Sequence, residues 1–237
     1  MNRILTTSLI GSAAAAALIV ASCTPAFASG TATTPTAPKT LAAIQALALV
    51  KTTERTGSLN TAIAKVNAAT DITPSDRATI LGTLNNDLAG MTTVEAKIAA
   101  DTTVATAAAD FQTIFTTYRV YAVAIPQARL AAGADRMIGT TIPRLTDAQS
   151  KLSAALAGPD ASKSTPQLLA DLADMHSQIT AASGALNGVS ADALAVTPAD
   201  FNANNSVLAP IRASVATAIA DLKTAAADGK TVLAAIQ

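Results

Sequence analysis

The chain has 237 residues, half of them apolar, 14% charged and 3% aromatic, and its 16 basic side chains balance 16 acidic ones. That balance lacks the basic stripe that displaces counterions from phosphates, so nucleic acid is not an expected partner. The apolar content excludes a wholly disordered chain, and a single cysteine, Cys23, excludes an internal disulfide.

The first thirty residues read as an address. Arg3 is the only basic side chain before Lys39, and an uncharged run from Ile4 to Ser22 follows it. With the small-residue pattern Ala26-Phe27-Ala28, this predicts a secretory signal peptide over residues 1–28, cleaved after Ala28 to start the mature chain at Ser29. Val20-Ala21-Ser22-Cys23 resembles a bacterial lipobox, a second processing route in which Cys23 is lipidated and becomes the N-terminus. The product is then either released outside the cell or anchored to the outer face of the membrane, and Cys23 is the only expected membrane attachment. Beyond residue 38 no apolar run reaches the roughly 18 residues a span requires. Residues 29–39 (SGTATTPTAPK) carry Pro35 and Pro38 and favour an extended tether.

From Thr40 onward the apolar spacing is helical, and no comparable stretch alternates with period two. Leu59, Ile63 and Val66 repeat at four and three, and Leu81, Leu84, Leu88, Met91 and Ile98 keep a heptad interrupted by Glu95. Leu168, Leu172, Met175, Ile179 and Leu186 continue the pattern, as do Leu208, Ile211, Val215, Ile219 and Leu222. Thr73-Pro74-Ser75-Asp76 reads as an N-cap, a proline at the first helical position and a carboxylate three residues after the cap; Thr197-Pro198-Ala199-Asp200 repeats it. Thr165-Pro166 repeats its first half, and Gly158-Pro159-Asp160 is a helix stop. The predicted helices are Thr40–Ala69, Pro74–Ala100, Thr103–Ala157, Pro166–Leu186 and Pro198–Gln237, with Pro210 kinking or restarting the last.

The expected fold class is all-α, an elongated antiparallel helical bundle over residues 40–237. A third helix of 55 residues would span about 80 Å, so Pro126 and Pro143 are the expected kinks and a subdivision is placed near residue 126. Two arrangements fit: two three-helix layers sharing the kinked central helix, or a single four- or five-helix bundle. Alanine at many seam positions allows close approach but buries little area, at about 25 cal/mol per Å².

The aromatic residues are clustered. Phe111, Phe115, Tyr118 and Tyr121 fall within eleven residues, with Arg119 among them, and beyond the leader only Phe201 is also aromatic. The spacing puts Phe111, Phe115 and Tyr118 on one helical face, with Tyr121 continuing the row. These residues make either a stacking surface for a partner or a plug of volume where the helix bends at Pro126. Nothing points to catalysis. His176 is the only histidine, and no nucleophile elbow, phosphate loop or Glu-x-x-His occurs. No catalytic residue, cofactor or metal site is expected. Asp76, Asp101, Asp160 and Asp200 sit where caps and turns belong.

Tyr118-Arg119-Val120-Tyr121, then Pro126 and Ala134-Asp135-Arg136, resembles a stretch of uncharacterised exported alanine-rich helical proteins of high-GC Gram-positive bacteria. The resemblance covers residues 40–140 and implies a secreted helical protein, with no activity and no functional residue carried over. The expectation is an exported binding or spacer protein of the cell envelope, without catalysis, whose partner is an envelope component or another protein. The alternative is an extracytoplasmic carrier of a small ligand, with its pocket near the Pro126 bend.

Overall fold

Threonines open the helices. The computed structural model describes residues 36–237, so the leader, Cys23 and most of the tether lie outside the described residues. Thr40 caps α1 (Leu41–Ala68), its hydroxyl accepting from the Ala43 amide at 3.3 Å, and Thr73 caps α2 (Pro74–Ala100) through the Asp76 amide at 3.3 Å. Thr103 caps α3 (Val104–Thr116), so Asp101-Thr102-Thr103 separates two helices. Each hydroxyl satisfies an amide with no carbonyl one turn back.

The long third helix expected from the sequence does not form. α3 ends at Thr116, and Arg119 takes a left-handed backbone (φ 46°) that opens a π-helical segment, Val120–Ala124. Then follow α4 (Ile125–Arg136), a second π-helical segment (Met137–Thr141) and α5 (Ile142–Ala157). Neither proline interrupts its helix. Pro126 and Pro143 each stand two residues past the end of a π-helical segment, whose last bonds run from the Ile125 amide to the Val120 carbonyl and from the Ile142 amide to the Met137 carbonyl. A five-residue turn is wider than an α-turn and leaves room for a ring with no amide proton. The break therefore falls at Arg119, seven residues before the expected place.

After a short 3-10 turn (Ala161–Lys163) come α6 (Pro166–Leu186), α7 (Val189–Ala195), α8 (Pro198–Ala203) and α9 (Ala209–Ile236). Thr165 caps α6, and Thr197 and Asp200 form a reciprocal capping box at α8. The last predicted helix is thus two, restarted at Ala209-Pro210 after a turn in which the Asn204 side chain accepts from the Ser206 amide. Gly188 (φ 76°) turns the chain from α6 into α7, a helix the sequence pattern did not announce. No strand occurs among the described residues, and the fold class is all-α.

The helices divide into two compact units. Among the described residues, the first comprises residues 36–132 together with Ser190–Ile211; the second comprises Gly133–Val189 and Arg212–Gln237. In the first, α1, α2 and α3 pack around Ile44, Leu59, Ile80, Leu84, Met91, Ile98 and Phe111, all fully buried. Within the α2 heptad it is Leu84, Met91 and Ile98 that line the core, while Leu81 and Leu88 are half-buried. Glu95, the polar interruption, accepts a hydrogen bond from the buried Thr52 of α1. In the second unit Leu152, Leu172, Met175, Leu222 and Val232 are buried, and Met175 presses against Gly229 of α9, where an added Cβ would stand 3.2 Å from its Sδ.

Helix C-termini are closed by long side chains from elsewhere in the same unit. Arg77 of α2 donates to the carbonyls of Val66 (2.6 Å), Asn67 (3.2 Å) and Ala69 at the end of α1. Gln45 of α1 donates from Nε2 to Ile98, Ala99 and Asp101 at the end of α2, each at 3.2 Å. These two ties make α1 and α2 an antiparallel pair held at both ends. Lys163 does the same for the Ile236 carbonyl of α9. Replacing Arg77 with Met keeps the aliphatic stem and removes three donors to the last turn of α1. The expected cost is about 2 kcal/mol in chemical denaturation, and an unchanged midpoint would show that water closes that helix end equally well.

Candidate functional site

The clustered aromatics turn inward. Phe111 is fully buried and Phe115 is 8% exposed, their rings 5.2 Å apart in an edge-on contact. Tyr118 is half-buried against α2, where a Cβ built on Gly90 would overlap its ring. Phe111 and Phe115 therefore fill space between the helices of the first unit, and Tyr118 packs on α2. Tyr121 leaves their row, because the helix breaks between Thr116 and Val120. Its ring lands over α1, with its hydroxyl donating to the Glu54 carbonyl at 3.1 Å and 3.0 Å from the Ser58 hydroxyl. It stays 48% exposed.

Two arginines are held by rings. Arg55 of α1, 8% exposed, has its guanidinium 4.6 Å from the Phe115 ring centre and 5.0 Å from that of Tyr121, and donates to the Lys51 carbonyl at 2.9 Å. Burial pulls its pKa below the usual arginine value, partly opposed by Tyr121 and Glu54. Such stacking is worth about 1–2 kcal/mol where water is excluded. Arg119 lies 5.2 Å from the Phe201 ring centre and donates from Nε to Asn202 Oδ1 at 2.7 Å. The same Asn202 amide donates to the Thr116 carbonyl at 2.9 Å. One asparagine of α8 thus closes the end of α3 and steadies the strained residue after it. Of the predicted surface Phe111, Phe115, Tyr118, Arg119 and Tyr121, only Tyr121 presents much area to solvent.

A groove of about 660 Å³ lies in the second unit, beside Pro143. One wall carries Ile138, Ile142, Thr146 and Gln149 at spacings of four, four and three. The other is α6, with His176, Ile179, Thr180 and Ser183 rising to Gly184 and Asn187. Ile179 is buried, whereas Ile138 is 46% exposed. No Asp, Glu, Lys or Arg lines it. This groove is not the pocket expected beside Pro126, since Ile138 to Gln149 and His176 to Asn187 line it. In the sequence its trace is the row Ile138, Ile142, Thr146, one helical face set apart from Leu145 and Leu152, which are buried in the core.

Among the described residues no group of three or more His, Cys, Asp or Glu is arranged to hold a metal ion, and no helix is long and apolar enough to cross a membrane. His176 is exposed on the groove wall. The most displaced acid is Asp87 of α2, half-buried, with Oδ2 lacking a hydrogen-bond partner and its pKa pushed up to about 7 by burial.

The folded chain therefore favours the protonated Asp87 carboxyl, and from about pH 4, where the unfolded carboxyl ionises, to about pH 7 stability should fall as pH rises. Asp87→Asn should flatten that slope and raise stability at pH 8 by on the order of 1 kcal/mol, reduced by the solvent still reaching the group. A slope that persists in the variant would assign it to other groups. Gly90→Ala should lower stability by about 1–3 kcal/mol by displacing the Tyr118 ring. In a Tyr118→Ala background the same change should stabilise by about 1 kcal/mol through helix propensity. Equal effects in both backgrounds would mean that the two residues do not press on each other.

Compared with protein-family models, with curated proteins and with solved structures, the chain finds no match in any of the three.

Proposed function

We propose that this chain is an exported structural protein of the bacterial cell envelope, binding or spacing other components without catalysing a reaction. The observation that carries this reading is where its scarce chemistry goes. Arg55, Arg77 and Arg119, the aromatic cluster and the capping threonines are engaged in joining helix to helix or closing helix ends. A chain whose guanidinium and ring groups are turned into internal ties is built to hold a shape. The leader features of residues 1–28 and the resemblance to exported alanine-rich helical proteins support the location. Tyr121, with its half-exposed ring, is the member of the cluster left to meet an envelope partner.

The second reading, a carrier of a small ligand, is favoured by the groove beside Pro143. Both are tested by intact mass spectrometry of the chain recovered from its producing cells. Export predicts a first residue at Ser29 in the medium, or a diacylglyceryl-modified Cys23 in the membrane fraction. An unprocessed Met1 form confined to the cytoplasm would overturn it. Under native conditions the structural reading expects the bare chain mass, whereas a stoichiometric small-molecule adduct would favour the carrier.

A further inference from the structure

We infer that Asn187 is a site of self-modification: attack by the Gly188 nitrogen expels its carboxamide nitrogen and leaves aspartate or isoaspartate at position 187. Asn187-Gly188 is the only Asn-Gly pair in the sequence. The two residues form the exposed turn between α6 and α7, outside both helices. Glycine carries no side chain beside its own nitrogen, so nothing blocks the approach of the carboxamide carbon.

The step balances without an added oxidant or reductant. Base removes the Gly188 amide proton, the nitrogen bonds to Asn187 Cγ, the Cγ–Nδ2 bond breaks, and ammonia leaves behind a five-membered imide. Water then opens the ring, giving aspartate if it adds at Cγ and isoaspartate if it adds at the backbone carbonyl. With ψ at 123°, the Gly188 nitrogen faces away from Asn187 Cβ, so the ring closes after rotation about the Asn187 Cα–C bond. A turn outside the helical ladder can make that rotation.

The other described asparagines are held. Asn60, Asn67, Asn85 and Asn86 lie inside α1 and α2, where the amide that follows each one belongs to the helical ladder. The Asn202 side chain is in use between Arg119 and the Thr116 carbonyl. At Asn205 the attacking nitrogen would be that of Ser206, which already donates to Asn204 Oδ1 at 3.0 Å. Modification of Asn187 puts a carboxylate at the C-terminal end of α6, where the helix carbonyls disfavour it, and on the lining of a groove that carries no ionised side chain.

The test is to incubate the full folded chain, recovered from its producing cells, in mildly acidic and mildly alkaline buffer, and to locate the changed residues by tandem mass spectrometry. Asn187 should show the mass gain of an amide converted to an acid, at a rate that follows hydroxide, and isoaspartate-specific enzymatic methylation should label the same peptide. Its conversion should run roughly tenfold ahead of Asn205, whose attacking amide must first open. Asn187→Gln, whose longer side chain closes no five-membered ring, should remove both signals from that peptide. An Asn187 left intact after a month in alkaline buffer, an Asn205 that converts first, or a methylation label that persists in Asn187→Gln overturns the inference.

Discussion

What holds this fold together is the closing of helix ends by side chains that arrive from another helix. Each α-helix leaves carbonyls unpaired in its last turn, and a small C-cap residue or water usually takes them. Here Arg77, Gln45, Asn202 and Lys163 take them instead, at the ends of α1, α2, α3 and α9. Alanine-rich seams bring backbones near but bury little area, so the helices gain little from sliding into one register over another. A donor that fits only one carbonyl cluster supplies the missing discrimination. Polar ties fix the alignment, and the leucine and isoleucine rows fill the space.

The parts of the fold written locally were legible in the sequence. Thr-Pro pairs gave the starts of α2, α6 and α8, and heptad leucines gave the buried faces of α2 and α6. The break at Arg119 was not legible, because a contact that holds the residue comes from Asn202, 83 positions away. Seen alone, Thr116-Thr117-Tyr118-Arg119 is an ordinary helical stretch, and proline is the stronger local signal. Pro126 and Pro143 proved harmless for a reason a pattern of residues does not display, a π-helical turn directly ahead of each.

The same distinction separates the two candidate surfaces. The aromatic cluster stood out because its residues are rare, and rarity in an alanine-rich chain marks volume. Phe111 and Phe115 supply the volume that α1, α2 and α3 need between them. The groove is made of common residues (threonine, serine, isoleucine), and it is distinguished by what its lining lacks. Such a site emerges only when two helices, far apart in sequence, are placed side by side.

The first unit is discontinuous along the chain, and that has a consequence for biosynthesis. The ribosome finishes α1, α2 and α3 long before it reaches Asn202, the residue that closes the Thr116 carbonyl 86 positions earlier. At about 5–20 residues per second, the nascent helical trio waits roughly 4 to 17 s with that end open.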